Sequence, residues 1–414
     1  KKEEAPNEDL YYLNQERTAL KVRDTILDDT DVFFQIVIAK TQVGKTGCMV
    51  SIIEQCFEKE ATNHKIDPDN IFVITGLSST AWVKQTTERM PFLKEGNIHH
   101  RNSLKELVQK LKGKKDVLII IDEVHIASSL KGNSGKGQSV NQLLGELGYK
   151  DLSNLRENNI NCVVFSATPK AVLDDHIKWK EEGKAKIYKM DPGEGYKGPA
   201  ELLDGRAFDY QNLACSDPEK AKTYIKSLRC FIKEKYKNTP PKYHIIRAST
   251  GGSFEVVIDR FRSVFGTKNF KFVKCTSESE SYIDIDSIMR KDLPEDTDPN
   301  TYPPPEKHTF IFIKDKMRCA VTIKSKSNVG VLYERYSKSP QEHVIVQGLA
   351  GRACGYDVPD DMYVFTHLQS LKDYEEEWEN EDFDKINKGK KRESCFSPRT
   401  YTGTDRNYDE DLTR

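Results

Sequence analysis

Short apolar runs, each closed by polar or turn-forming residues, recur along the whole chain. The first half carries "FFQIVIA", "NIFVITG", "DVLIIID" and "CVVFSAT". The second carries "YHIIRAS", "FKFVKC", "HTFIFIK", "EHVIVQG" and "MYVFT". Their length and their β-branched and aromatic content predict buried strands. Between them the apolar positions take helical spacing, as in Met49, Ile52, Ile53, Cys56 and Phe57. Strands alternating with helices predict βαβ units and parallel sheets, an α/β fold. The runs fall into two groups separated by "KMDPGEGYKGPAELLDGRAFDYQN" around residues 189–212, whose glycines and prolines read as a linker. This predicts one domain over residues 1–195, a second over 196–375, and a polar, loosely ordered tail over 376–414. Within the second, Thr276 to Lys307 is acidic, ends in three consecutive prolines, and reads as a long surface insertion.

Composition narrows the class. The 414 residues, 37% hydrophobic and 31% charged, suit two or three domains with cores of their own. No apolar run approaches the ~20 residues of a membrane span, and "KKEEAPNEDL" has no apolar leader segment. Nine cysteines, odd in number and without a C-x-x-C pair, predict free thiols in a reducing, intracellular compartment. The histidines show no H-x-x-x-H spacing for a metal. A net charge of −1 gives no basic tail for nucleic acid, yet leaves room for a local basic groove.

The candidate chemistry begins where the first strand meets a helix, at "AKTQVGKT". Backbone N–H groups at a helix N-terminus attract anions, here over Thr41, Gln42, Val43, Gly44, Lys45, Thr46 and Gly47. Gly44 permits close approach to a phosphate, Lys45 neutralises β- and γ-phosphates, and the Thr46 hydroxyl suits Mg²⁺. Ala39 stands where the first glycine of the G-x-x-x-x-G-K-[ST] pattern belongs. On these residues alone the loop is either a phosphate cradle or a tight turn that carries a lysine. Further on, "VLIIIDEVHIA" puts Asp122 and Glu123 at a strand's carboxyl end, where ligands gather in open parallel sheets. Asp122 suits an outer ligand of Mg²⁺, and Glu123 the residue that orients or activates water. "CVVFSATPK" ends in Ser166 and Thr168, hydroxyls placed to bond the acids or simply to make a turn. "VIVQGLAGRACGYD" offers Arg352 either as a finger for the γ-phosphate or as a surface arginine beside a glycine turn.

Taken in order, the phosphate loop, D-E-x-H, S-A-T and Q…G-R resemble the superfamily-two helicases of the DEAD/H-box class. The resemblance spans about residues 10–370. It implies two tandem RecA-like domains with ATP and Mg²⁺ in the cleft between them, and an ATPase that moves along single-stranded nucleic acid. Finer segments resemble the group found in large DNA viruses and phages: "TGLSSTAWVKQTTERMP", "HHRNSLKEL", "GYKGPAELLDGRAF", "HIIRAST" and "FIKDKMRCAVTI". By position, Gln15 is expected at the adenine and Arg318 as a second finger candidate. His125, Ser166, Thr168 and Gln347 are expected to couple the sites. Thr75, Ser78, Arg101, Arg247, Ser249, Thr250 and Thr322 are expected at the nucleic acid, held through its phosphates whatever the sequence. Trp82 and Tyr149 could stack on bases, but a single aromatic is more often core, so neither is taken as a contact. A viral origin would imply transcription, replication or packaging partners in the host cytoplasm, a viral factory or a virion.

Two departures bear on activity. The usual G-R-x-G-R reads Gly351-Arg352-Ala353-Cys354-Gly355, without its second arginine, and Ala320 replaces a common glycine. They favour, as a second reading, a slow helicase-like scaffold subunit that binds ATP. A restriction-type nuclease motor is weaker, because no nuclease cluster is apparent.

Overall fold

The computed structural model describes residues 12–29, 31–57, 66–75, 80–94, 96–122, 143, 153–168, 183–248, 253–276, 285–314, 323–340 and 342–380. The chain divides into two compact units, with the boundary between Glu194 and Gly195. Each is built on one six-stranded parallel sheet.

In the first unit, strands β1 (Phe34–Ala39), β2 (Ile71–Thr75), β3 (Ile98–His99), β4 (Val117–Asp122), β5 (Ile160–Ser166) and β6 (Ala185–Met190) lie in the order β3-β2-β4-β5-β1-β6. Every residue of β1, β2, β4 and β5 is buried. That explains their continuous apolar runs: a parallel strand covered on both faces has no solvent side to mark with polar residues. Helices α1 (Leu13–Asp28), α2 (Lys45–Phe57), α3 (Thr80–Arg89) and α4 (Leu104–Leu111) accompany this sheet. In α4 the buried Leu104, Leu107 and Leu111 fall on one face by helical spacing.

The second unit orders its strands β7-β12-β11-β8-β10-β9. These are β7 (Ala207–Asp209), β8 (Tyr243–Arg247), β9 (Phe270–Thr276), β10 (His308–Lys314), β11 (Val329–Tyr333) and β12 (Tyr363–Thr366). The helix Pro218–Lys235 starts on Asp217, whose carboxylate accepts from the backbone N–H groups of Glu219 and Lys220, and on a proline at its first turn. It buries Ala221, Ile225, Leu228 and Ile232. An aromatic cluster fills the core beside the helix Ser253–Phe265: Phe265 meets Phe310 edge-on at 4.6 Å, and Phe261 meets Phe312 at 5.2 Å. Two all-parallel α/β units in tandem are the RecA-like class that the sequence predicts. β5 sits between the strand feeding the glycine loop and the strand ending in Asp122.

Four expectations change. "EHVIVQG" forms the helix Glu342–Gln347, while the unremarked "VGVLY" is strand β11. The buried Ile345, Val346, Leu349 and Ala350 repeat with a helical period across two successive short helices. The expected linker is shorter: beyond Gly195 it belongs to the second unit, as the helix Pro199–Leu203 and edge strand β7. The expected surface insertion folds back on its domain between residues 285 and 307. It buries Ile285, Met289 and Tyr302, and the Asn328 amide donates to the Tyr302 carbonyl at 2.7 Å. The last described helix runs Leu368–Glu379, past the boundary drawn at 375, and the polar tail from 381 lies outside the described residues. No helix among the described residues is long and apolar enough to cross a membrane.

Candidate nucleotide site and the motif network of the second unit

The glycine loop joins β1 to α2 over Lys40–Gly44. Two of its residues take left-handed backbone conformations, Gln42 at φ 57° and Gly44 at φ 92°. Thr41 and Val43 are buried. The Gly47 and Cys48 N–H groups bond the Gly44 carbonyl at 3.0 and 3.4 Å, which starts the helix at Lys45. The loop is packed from one side by Gln15, which is 2% exposed. A Cβ at Gly44 would lie 2.1 Å from the Gln15 amide nitrogen, and one at Gly47 would lie 2.0 Å from its amide oxygen. Both glycines therefore make room for one side chain. Gln15 Oε1 accepts from the Tyr12 N–H at 3.0 Å. Helix α1 is in turn fixed to the sheet's β6 edge: Asn14 donates to the Asp191 carbonyl at 2.8 Å, and Lys186 pairs with Asp29 at 2.9 Å. That hydrogen bond, then the Asp31 N–H and the Lys186 charge, hold the Asp29 carboxyl below its usual range against the opposing effect of burial.

Four further candidates stand along the same carboxyl edge of the sheet. Asp122 ends β4, with Thr75 of β2 and Phe165 of β5 as its neighbours in register. Ser166 ends β5 opposite Ile38, one residue before β1 ends. Asp122, Thr75, Ser166 and Thr168 are all buried, and Ser166 Oγ accepts from the Thr168 N–H at 3.2 Å. Trp82, in the first turn of α3, donates its indole N–H to Asp122 Oδ2 at 3.1 Å. Sequence reasoning left Trp82 in the core. It is buried, but its polar end is spent on the acid.

In the second unit one candidate, Arg247, pairs with a residue that the motifs did not flag. Glu334, one position after β11, is 3% exposed. Its carboxylate accepts from Arg247 Nη1 at 2.9 and 3.0 Å, from the Leu349 N–H at 2.9 Å, and from the Arg335 N–H at 2.9 Å. Glu334 thus ties the end of β8 to the start of the short helix Leu349–Arg352. Arg247, expected at the nucleic acid, has a side chain only 10% exposed and gives one nitrogen to this pair. Gln347 and Arg352 are buried at 3% and 1% exposure. Beyond Arg352, Lys326 donates to the Cys354 carbonyl at 2.7 Å, and burial pushes its ammonium down to about 8. Gly355 and Lys197 exchange backbone hydrogen bonds at 2.9 Å, so the segment entering the second unit is strapped to the turn after Arg352.

Glu123, His125, Ser78, Ser249, Thr250, Arg318 and Thr322 lie outside the described residues. So does the Arg101 side chain, although its backbone forms a short turn over Arg101–Ser103. Among the described residues no group of three or more histidine, cysteine, aspartate and glutamate side chains is arranged to hold a metal. A Mg²⁺–nucleotide asks less of the protein than such a cage: a carboxylate and a hydroxyl, with phosphates and water as the other ligands. Asp122 and Thr46 match that donor set.

No protein-family model matches the chain, and no curated protein matches it. Its backbone is similar to those of solved structures at low sequence identity. One is Saccharomyces cerevisiae Dbp5 bound to RNA and ADP–BeF3, at 12% identity, covering 90% of this chain and 93% of that one, with a TM-score of 0.49. Another is the Pyrococcus furiosus Hef helicase domain, at 11% identity, covering 88% and 99%, with a TM-score of 0.43. At these identities and scores the likeness assigns no residue its role.

Proposed function

We propose that the chain is an ATPase of the helicase type, which hydrolyses ATP to move along a nucleic-acid strand. The observation that carries this reading is the juxtaposition at one sheet edge. A glycine loop opening onto the N-terminus of α2 stands next to Ser166, and Asp122 ends the strand beyond it. In this reading the loop amides and Lys45 bind the phosphates, and Glu123 orients the attacking water. Thr46 and Asp122 would hold Mg²⁺, which when bound would supply positive charge to the phosphates. Arg352 is the proposed finger. Thr75, Ser78, Arg101, Arg247, Ser249, Thr250 and Thr322 are the proposed contacts to the strand's phosphates.

The test is nucleotide binding and turnover in the parent and in Lys45→Ala. The reading expects Mg²⁺-dependent binding that the substitution abolishes. Equal binding by both proteins would remove the loop from the site. The second reading, a slow ATP-binding scaffold, is favoured by Gly355 standing where the second arginine of G-R-x-G-R is usual, and Cys354 where its glycine is. It expects tight binding, with turnover that nucleic acid does not raise.

A further inference from the structure

We propose that Trp82 is a positioning residue for Asp122, holding the carboxylate in the orientation in which it meets a Mg²⁺–nucleotide. The inference rests on the ATPase reading above. Helix α3 buries Trp82 and Thr86 four residues apart on one face, and Met90, four further on, is buried just past its end. That face aims the indole at the end of β4, and its N–H reaches Asp122 Oδ2 at 3.1 Å. An indole has one donor and no acceptor, so the bond has a single sense. The N–H donates to the carboxylate, and the bond is charge-assisted when the acid is ionised. With Trp82 6% and Asp122 7% exposed, little water is present to replace it. A carboxylate at a strand end otherwise rotates about its last torsion, which is broad. One oxygen committed to the indole fixes that rotation, and with it the direction the other oxygen presents. A tryptophan that only filled space would not need its nitrogen at this acid.

The experiment reads the bond from both ends. In the intact chain labelled with ¹⁵N at the indole nitrogens, the three tryptophans give three resonances. Trp179→Phe and Trp378→Phe each remove one, which identifies that of Trp82 by elimination. This resonance is expected to shift when Mg²⁺ and ADP are added together and to stay in place with ADP in EDTA. Trp82→Phe keeps most of the apolar volume and deletes the donor. It is expected to raise the Mg²⁺ concentration for half-saturation of ADP binding about tenfold, as losing a hydrogen bond to a charged group does. ADP affinity in EDTA is expected to stay unchanged. A resonance indifferent to Mg²⁺–ADP, or an unchanged Mg²⁺ midpoint in a folded variant, overturns the proposal and leaves the ATPase reading standing. If Trp82→Phe does not fold, the resonance in the parent decides alone. A parent that binds no ADP at any Mg²⁺ concentration overturns the ATPase reading, and this role with it.

Discussion

Gly47→Ala is expected to displace Gln15 from the glycine loop, and its sign depends on whether Gln15 is present. A Cβ built on Gly47 lies 2.0 Å from Gln15 Oε1, 2.8 Å from its Cδ and 3.2 Å from its Nε2. Gln15 is 2% exposed, so the amide cannot swing into open solvent without moving α1 or the loop. Forcing a methyl group into a filled site costs about 1–3 kcal/mol. Losing the bond from the Tyr12 N–H adds about 1 kcal/mol. Against this, alanine is better than glycine inside a helix by about 1 kcal/mol, and Gly47 is the third residue of α2. The net expectation is a loss of about 1–3 kcal/mol. In a Gln15→Ala background the obstruction is gone, and Gly47→Ala is expected to be neutral or to stabilise by up to about 1 kcal/mol. Thermal midpoints of the four proteins, with ADP affinity alongside, close the double-mutant cycle. The same shift on adding Gly47→Ala in both backgrounds would refute the packing of Gln15 on the loop.

Glu334→Ala leaves the Arg247 guanidinium and the Leu349 N–H without their shared carboxylate. Breaking a buried pair from one side costs about 3–5 kcal/mol, so unfolding of the second unit should move sharply, and Glu334→Gln less so; equal, small shifts would contradict the network. His244 and His308 stack with Nε2 to Nδ1 at 3.0 Å, beside Tyr236 and Lys242. Burial lowers both values, and the neighbouring His308 and Lys242 lower His244 further. Folded values below the ordinary ~6.5 mean that the stabilisation is complete above that pH and is lost as pH falls beneath it. The thermal midpoint is therefore expected to drop between pH 7.5 and 5, by less in His308→Gln; parallel profiles would contradict this. Arg352→Ala should reduce ATP turnover far more than ADP affinity, since fingers in phosphoryl transfer contribute about 10³–10⁵ in rate. Normal turnover would remove it from that role.

What was legible in the sequence follows from what is local. β1, β4 and β5 were readable because strands buried on both faces are continuous apolar runs ending in the residues of interest. The turn at Gly44 was readable because helix spacing begins at once after it. "VGVLY" and "HVIV" have similar composition, and only the apolar positions after Gln347 show that the second belongs to a helical stretch. β7 is three residues long, too short for any period, and became a strand by pairing with β12. Gln15 was expected at a base, and its placement against Gly44 and Gly47 depends on how α1 meets α2. Trp82 and Glu334 went unrecognised because their partners stand 40 and 87 residues away along the chain. No local pattern encodes such pairings; they exist only once strands from distant segments lie side by side.

ATP turnover with and without single-stranded nucleic acid tests most directly the proposal that the glycine loop and Asp122 serve a motor on nucleic acid. Mg²⁺-dependent hydrolysis is expected, stimulated by a single strand of any sequence. The stimulation is expected to fade with salt as phosphate contacts are screened. Slow turnover that no strand changes would contradict the motor and leave an ATP-binding scaffold in its place.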